Sequence, residues 1–328
     1  MTMGWAWKGP GGRRARSTLA ALPALLLCAG CGLLPGAKAG SAAQSGGHAA
    51  SALGTASPSA QPPASALRHG ACPATYRGFS CTMGTRIAAV ERFLRTRPGM
   101  TGIVLRDRDS GAVWRNRYAG AQIYMASTSK LGMAVTLLIK NQAGDIHLST
   151  SDWALLNKML HVSSDSAADA LWFQYGASFY TSFFPQIGLM GIRYLHQPGV
   201  RGPYWGEMTC TPDDLSGEIN DILGKLPASD RDYLVRHLRH VGTVQHFGVW
   251  GAGPANQPGN KDGWSLEKPG WVIDSVGFAG PHARYTLTMM NSLEGQGGYR
   301  DGIDTVTQVA SLLFRGHQIP APTLRATP

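Results

Sequence analysis

Composition changes near residue 70, and this change limits which part of the chain can fold. Residues 33–70 are almost entirely Ala, Ser, Gly and Pro, with no acidic residue and almost no large apolar one. Such a segment buries too little apolar surface to offset the entropy of ordering it, so we predict a disordered linker over 32–70. The 328-residue chain is 43% hydrophobic, enough for the core of one large domain or two coupled ones. We place this folded region at 71–316 and a short tail at 317–328.

The first 31 residues have the order of an export signal. A basic stretch containing Arg13 and Arg14 precedes an apolar run at 19–27, and small residues follow. The apolar run is shorter than the roughly 20 residues that a membrane-spanning helix needs. We therefore predict a signal peptide over 1–31 that is removed on export, with the twin-arginine route left open.

The end of this signal resembles the lipobox of bacterial lipoproteins. It reads Ala29-Gly30-Cys31, with Cys28 where that box usually has leucine. The resemblance implies acyl chains on Cys31 and a position on the outer face of the cell membrane. Secretion without an anchor is the alternative.

Export places the other cysteines in an oxidising compartment. Cys72 and Cys81 are nine positions apart, and we predict a disulfide that closes this small loop. Cys210 is then left over, and we interpret it as a buried, unreactive thiol because no catalytic motif surrounds it.

Hydrophobic periodicity predicts strands at both ends of the folded region and helices between them. An amphipathic helix precedes a β-hairpin whose turn is Asp109-Ser110-Gly111. The predicted helices are at 84–97, 125–140, 152–160, 167–173, 212–223 and 303–314, and the predicted strands are at 101–106, 112–115, 271–278 and 284–290. This order favours an α+β fold in which an antiparallel sheet is flanked by helices and carries an inserted all-helical subdomain.

A Ser-x-x-Lys pattern, Ser127 to Lys130, opens the strongest of these helices directly after the hairpin. The spacing puts the lysine one turn from the serine on the same face, where its amine is able to take the serine proton once its pKa is lowered. A pattern of two residues occurs by chance about once in a chain of this length, so its position before an apolar helix carries the argument.

Two further motifs follow in order. They are Ser164-Asp165-Ser166 before a helical stretch and Lys261-Asp262-Gly263-Trp264 before the closing strands, and a threonine-rich helix start, 209–215, lies between them. Together with the segment around Ser127, they resemble the active-site motifs of class A β-lactamases and penicillin-binding proteins over residues 85–315.

The resemblance implies a role for each matching residue. Ser127 is the acylated nucleophile, Lys130 the base, Ser164 the relay to the leaving amine and Lys261 the anchor for a substrate carboxylate. The backbone N–H groups of Ser127 and Trp264 form the oxyanion hole, in which each donor is worth about 3 kcal/mol.

The chain also departs from the family pattern. No carboxylate occurs at 190–198, where a class A enzyme carries the glutamate that activates the hydrolytic water, although Glu207 lies nearby. Asp262 and Ser166 replace two residues that help to bind a penicillin. We therefore predict a serine hydrolase with slow β-lactam turnover that acts on a cell-wall peptide or β-lactam-like amide; the alternative is a non-catalytic binding lipoprotein.

The remaining predictions concern partners. The net charge of +10 invites a nucleic-acid hypothesis, but the basic residues are scattered without an aromatic stripe, so we expect no nucleic-acid partner. His237 and His240 are one turn apart among arginines and without acidic or cysteine ligands, which favours a solvated helix face over a metal site. We expect no cofactor, a small-molecule or peptide substrate, and membrane contact through the lipid anchor.

Overall fold

A computed structural model describes residues 76–317 and residue 319. The predicted signal peptide, Cys31, the linker and the predicted domain start at residue 71 lie outside the described residues, and their boundaries stay predictions. Cys81 is disulfide-bonded, but Cys72, its predicted partner, also lies outside them. Within the described part, no helix is long and apolar enough to cross a membrane.

The main sheet has five antiparallel strands in the order β2-β1-β8-β7-β6. Its strands are β1 (Met100–Asp107), β2 (Val113–Arg115), β6 (Gly259–Leu266), β7 (Trp271–Ala279) and β8 (Tyr285–Ser292). Almost every residue of β7 and β8 is buried, because both faces of the sheet are covered by helices. A second, three-stranded sheet has the order β3-β5-β4 and consists of β3 (Ile123–Tyr124), β4 (Arg193–Tyr194) and β5 (Met208–Cys210).

Two helices cover one face of the main sheet, and the helical subdomain lies against the other. The first pair is α1 (Cys81–Leu94) and α8 (Tyr299–Phe314). The subdomain contains α2 (Ser129–Gln142), α3 (Thr150–His161), α4 (Asp165–Tyr175), α5 (Ala177–Thr181), α6 (Pro212–Gly224) and α7 (Ala228–Arg239). The predicted α+β arrangement with an inserted helical subdomain is confirmed.

The helix that follows Ser127, α2, is the centre of the helical subdomain. Every residue from 129 to 138 is buried, as expected for a helix that is apolar all round. The neighbouring helices have polar N-terminal caps; in α6 the Thr211 hydroxyl accepts from the Asp214 N–H, and the Asp214 carboxylate accepts from the Thr211 N–H. Cys210 is buried and free, and burial raises the pKa of its thiol well above the usual value.

Candidate active site

Ser127 lies in a turn of 3₁₀ helix, Ala126–Thr128, between β3 and α2. The sequence predicts an α-helix here, but the backbone of Ala126 has a positive φ of 44°, a conformation that costs a non-glycine residue about 1–3 kcal/mol. Two hydroxyl groups hold the turn: Thr128 Oγ1 donates to the Met125 carbonyl at 2.6 Å, and Ser129 Oγ donates to the Ala126 carbonyl at 2.9 Å. The turn presents the half-buried Ser127 side chain at the N-terminal end of α2.

Lys130 is fully buried and its amine contacts the Ser127 hydroxyl. The Nζ–Oγ distance is 2.8 Å. Nζ also donates to the Ser163 carbonyl at 2.7 Å and to Asp165 Oδ1 at 2.5 Å. A neutral amine satisfies the same three contacts with two donors and one lone pair, which then accepts the Ser127 proton. The arrangement therefore suits a general base.

An indole ring covers the Lys130 amine on a further side. The ring centroid of Trp205 is 4.5 Å from Nζ, and Trp205 is only 6% exposed. The ring is held in place because Trp205 Nε1 donates to Asp169 Oδ1 at 2.8 Å, and Tyr204 donates to the same oxygen at 2.6 Å. The Trp205 ring therefore fills the space beside the Lys130 amine, and water is excluded from that space.

The structure places Ser163, not Ser164, between the two lysines. Ser163 Oγ lies 2.9 Å from Lys261 Nζ and 3.4 Å from Lys130 Nζ. Ser164 instead caps α4, where its hydroxyl accepts from the Ala167 N–H. The predicted motif is therefore shifted by one residue, and the relay position assigned to Ser164 is wrong in this structure. The physical reason is the helix start: the N-cap of α4 directs the Ser164 side chain to the helix backbone, and Ser163, with φ 57°, turns toward the lysines.

Lys261, on β6, is fully buried behind Ser163. Its Nζ donates to three acceptors, which are Ser163 Oγ at 2.9 Å, Gln245 Oε1 at 2.7 Å and the Asp262 carbonyl at 2.7 Å. The sequence predicts this lysine near the nucleophile, and in the structure the Ser163 hydroxyl lies between its amine and that of Lys130. This arrangement does not leave the ammonium directed at a substrate.

Both lysines have lowered pKa values. Burial of the amine is the main cause for Lys130, opposed by the hydrogen bond that Lys130 donates to Asp165 and by the negative charge of Asp165. Burial also lowers the pKa of Lys261 well below the usual value, and the charge of Lys130 adds to this effect. Each shift makes the neutral form of the amine easier to reach than it is for an exposed lysine.

The predicted oxyanion hole consists of the backbone N–H groups of Ser127 and Trp264, and β6 lies directly beside the turn that carries Ser127. Gly263 packs so closely on the turn that a Cβ there would lie 3.0 Å from the Ser127 nitrogen. β6 is an edge strand, and the Asp262 N–H points off that edge to Gln245 Oε1 at 3.2 Å. Because N–H groups two residues apart point the same way along an antiparallel strand, the Trp264 N–H faces the same free edge, beside Ser127.

Asp262 faces away from the substrate side of the sheet. Its carboxylate accepts from Ser275 Oγ at 2.6 Å beneath Gly248, and burial raises its pKa. Lys261 contacts the carbonyl oxygen of Asp262, and the negative charge of the Asp262 carboxylate opposes the lowering of the Lys261 pKa.

Glu207 lies at the rim of the site, three residues before Cys210. Burial raises its pKa, the charge of Glu267 adds to this, and a hydrogen bond from Tyr124 opposes it. Tyr124 also donates to the Gly206 carbonyl. The Asp165 carboxylate contacts the Lys130 amine at 2.5 Å, and the Trp205 indole covers a further side of the same amine.

Three residues of this site were missed by the sequence analysis. They are Ser163, Trp205 and Gln245. The sequence Ser163-Ser164-Asp165-Ser166 did contain a signal for the correct assignment. Ser164 lies three residues before the Ala167 N–H at the start of a helix, which is the position of an N-cap and not of a catalytic group. Trp205 lies in a loop and Gln245 in a short helix. Their positions beside the lysines depend on the whole fold and not on a local pattern.

The fold and this site together define a class of structure. The β-lactamase of Sphaerobacter thermophilus DSM 20745 is 15% identical with a TM-score of 0.56 over 70% of this chain and 94% of its own. An ancestral class A β-lactamase is 20% identical with a TM-score of 0.58 over 70% and 98% of the two chains. The described part of the chain therefore has the fold of class A β-lactamases.

Sequence comparison gives a more particular relative. The protein of Mycobacterium tuberculosis named "Putative lipoprotein LppW" is 28% identical over 198 residues, which are 57% of this chain. The match spans 61% of that protein's length. No protein-family model matches the chain.

Proposed function

We propose that the protein is an exported, membrane-anchored serine hydrolase that forms an acyl-enzyme on Ser127. The observation that carries this proposal is the 2.8 Å contact between Lys130 Nζ and Ser127 Oγ in a buried site. The likeness to a lipoprotein supports the anchor at Cys31. The substrates that fit this site are amides or esters of cell-wall peptides and strained, β-lactam-like amides.

In the proposed reaction, Lys130 takes the proton of Ser127 while Oγ attacks the carbonyl carbon. The oxyanion accepts hydrogen bonds from the N–H groups of Ser127 and Trp264, each worth about 3 kcal/mol. The carbon–nitrogen bond then breaks, and the leaving nitrogen takes the Ser163 hydroxyl proton, which Lys130 replaces. Lys261 holds the Ser163 hydroxyl in position.

Release of the acyl group is the slow step in this proposal. Deacylation requires a water molecule next to a base, and Trp205 covers the Lys130 amine. An acyl-enzyme that persists for minutes or longer is expected, with transfer to an amine competing with hydrolysis.

Intact-mass analysis tests the proposal. The purified protein is incubated with benzylpenicillin, with its methyl ester and with an activated phenyl ester, and the adduct is mapped by peptide digestion. We expect a covalent adduct on Ser127 that Ser127→Ala does not form. Absence of any adduct from all three donors would overturn the proposal.

A matched pair of variants tests the assignment of the relay. Ser163→Ala removes the hydroxyl between the lysines, so acylation by the amide donors is expected to fall about 100-fold. Ser164→Ala removes only a helix cap, with a stability cost of about 1 kcal/mol and acylation kept within threefold. The opposite ranking would restore Ser164 as the relay.

A second function, binding without turnover, is favoured by the 2.5 Å ion pair of Lys130 with Asp165. If that pair keeps the lysine charged, it cannot accept the Ser127 proton. Under this alternative, a cell-wall peptide raises the melting temperature of the protein equally with and without Ser127→Ala, and no adduct forms.

A further inference from the structure

Lys261 has no N–H left for a substrate. An ammonium carries three donors, and the three acceptors within 2.9 Å of Nζ all belong to the protein: Ser163 Oγ, Gln245 Oε1 and the Asp262 carbonyl. The side chain is also fully buried. Anchoring a substrate carboxylate, the role that the sequence resemblance implies, requires at least one donor directed at the substrate.

Gln245 is fixed in the orientation that occupies Lys261. It is fully buried in a short helix, Thr243–Gln245, and its Nε2 donates to the carbonyls of Leu160 at 2.8 Å and His161 at 2.9 Å. Because both amide donors are used there, Oε1 must face Lys261. The acceptor therefore cannot turn away when a substrate arrives.

Acidic side chains surround the entrance to the same site. The Asp165 side chain is 76% exposed next to Lys130. Burial raises the pKa of Glu207 and the charge of Glu267 adds to this, and both carboxylates also raise the pKa of Tyr124, three residues before Ser127. A second anionic group entering this site meets repulsion.

Exposed apolar residues are the sequence neighbours of Ser163 and Gln245, the two residues whose side chains accept hydrogen bonds from Lys261. Val162, next to Ser163, is 42% exposed, and Val244, next to Gln245, is 44% exposed. Val162 is brought near the Gln245 loop through Gly242. A neutral, partly apolar group of the substrate fits beside Val162 and Val244 better than a carboxylate does.

From these contacts we infer that the site takes acyl donors without a carboxylate beside the scissile bond, and that Gln245 sets this specificity. The suitable donors are esters and internal amides, in contrast to peptides whose free C-terminal carboxylate lies next to the bond. The inference rests on the proposed acylation of Ser127 and narrows its substrate class.

The test compares two donors that differ only in this charge. Benzylpenicillin and its methyl ester are reacted separately with the full-length protein, and the second-order rate constant of Ser127 acylation is followed by intact mass. Each rate is divided by the rate of the same donor with hydroxylamine, which corrects for intrinsic reactivity. We expect the ester to react at least tenfold faster after this correction.

Two variants examine the cause. In Gln245→Ala, Lys261 regains a free N–H, and the preference for the ester is expected to fall about tenfold through faster reaction of the acid. Thr243→Ala changes an exposed residue of the same short helix, so its preference is expected to match the wild type.

The outcomes separate this inference from the proposed function. Adducts from both donors with a preference for the acid would overturn the inference and leave Ser127 acylation intact. An ester preference that Gln245→Ala does not reduce would overturn the role of Gln245. Failure of benzylpenicillin, its methyl ester and the activated phenyl ester alike would overturn the proposed function and this inference with it. If Gln245→Ala does not fold, the wild-type preference decides the substrate class by itself.

Discussion

Asp165 and burial act in opposite directions on the base. Burial lowers the pKa of the Lys130 amine, and the hydrogen bond and charge of Asp165 raise it, so the balance decides how much neutral amine exists at a given pH. Asp165 is exposed, which weakens its effect through solvent screening. The pH dependence of acylation is therefore a direct readout of this one contact.

We predict that Asp165→Asn moves the acid limb of the acylation profile to lower pH. The neutral lysine is the active form, and removal of a group that raises its pKa lets the proton leave at lower pH, by about one pH unit. The measurement is the rate of Ser127 acylation between pH 5 and pH 9. Ser166→Ala, a nearby exposed change that leaves the Lys130 contacts intact, serves as the control. A limb that stays in place or moves upward would show that Asp165 does not govern the base.

In the proposed mechanism, Trp205 is the residue that separates acylation from release. Its indole covers the Lys130 amine, and Asp169 fixes it there. In Trp205→Ala, water gains access to the base, so the decay of the Ser127 adduct is expected to accelerate about tenfold or more, with the acylation rate within threefold.

The control for Trp205 is Trp205→Phe, which keeps an aromatic ring and removes the N–H that contacts Asp169. Decay of its adduct is expected within about threefold of the wild type if the ring itself excludes water. Adduct lifetimes come from intact mass after removal of free donor by gel filtration. Equal lifetimes in the wild type and Trp205→Ala would assign the slow release to something other than the ring.

Among the elements, α2 and α6 carry an unusual contact in the helical core. Glu218 of α6 is fully buried against Gly132 of α2, where a Cβ would lie 3.2 Å from Oε1. Neither carboxylate oxygen has a hydrogen-bond partner among the described residues. Burial therefore raises the pKa of Glu218 well above its usual value, which favours the protonated carboxyl in the folded protein.

This burial gives stability a definite pH dependence. In the unfolded chain the Glu218 carboxyl ionises near pH 4.3, whereas the folded state keeps its proton until a much higher pH. The free energy of unfolding therefore falls as pH rises above about 4.3, up to the folded pKa. Asp262 and Asp274, whose pKa values burial also raises, contribute in the same direction.

We predict that Glu218→Met stabilises the protein by about 1–3 kcal/mol at pH 8 and by less at pH 5. It replaces an unpartnered polar group with an apolar one of similar length. Urea unfolding at both pH values measures the gain, and Asp304→Asn, an exposed change on α8, is expected to leave it near zero. A gain that does not grow with pH would mean that Glu218 is not the titrating group.

At this same scale the sequence predicted more of the fold than of the site. The apolar run after Ser127 predicted α2, and two extended runs before the last helix predicted the closing strands, because both are local signals. The one-residue error at Ser164 arose because a helix cap and a catalytic serine are the same residue type. Trp205, in a loop, and Gln245, in a short helix, reach the lysines only in the complete fold, so no local pattern identified them.

For the whole molecule, the sequence predicts attachment of the described domain to the cell surface through Cys31. The chain carries a net charge of +10, and its described part has no helix suited to crossing a membrane. If Cys31 is acylated after signal removal, this lipid holds the domain at the outer face of the membrane. In that arrangement the proposed active site acts on cell-wall peptides while the protein stays bound to the membrane.

We predict that Cys31→Ser moves the protein from the membrane fraction to the medium of an actinobacterial host and abolishes labelling by radioactive palmitate. One acyl chain binds only marginally, so stable anchoring requires the full lipid modification on this single thiol. Cys28→Leu is the matched control, since it gives the other cysteine of the segment the residue that the lipobox usually has there and leaves Cys31 in place. Labelling of Cys31→Ser at the wild-type level would contradict the lipobox interpretation. Release of the unmodified wild-type protein into the medium would instead favour secretion without an anchor.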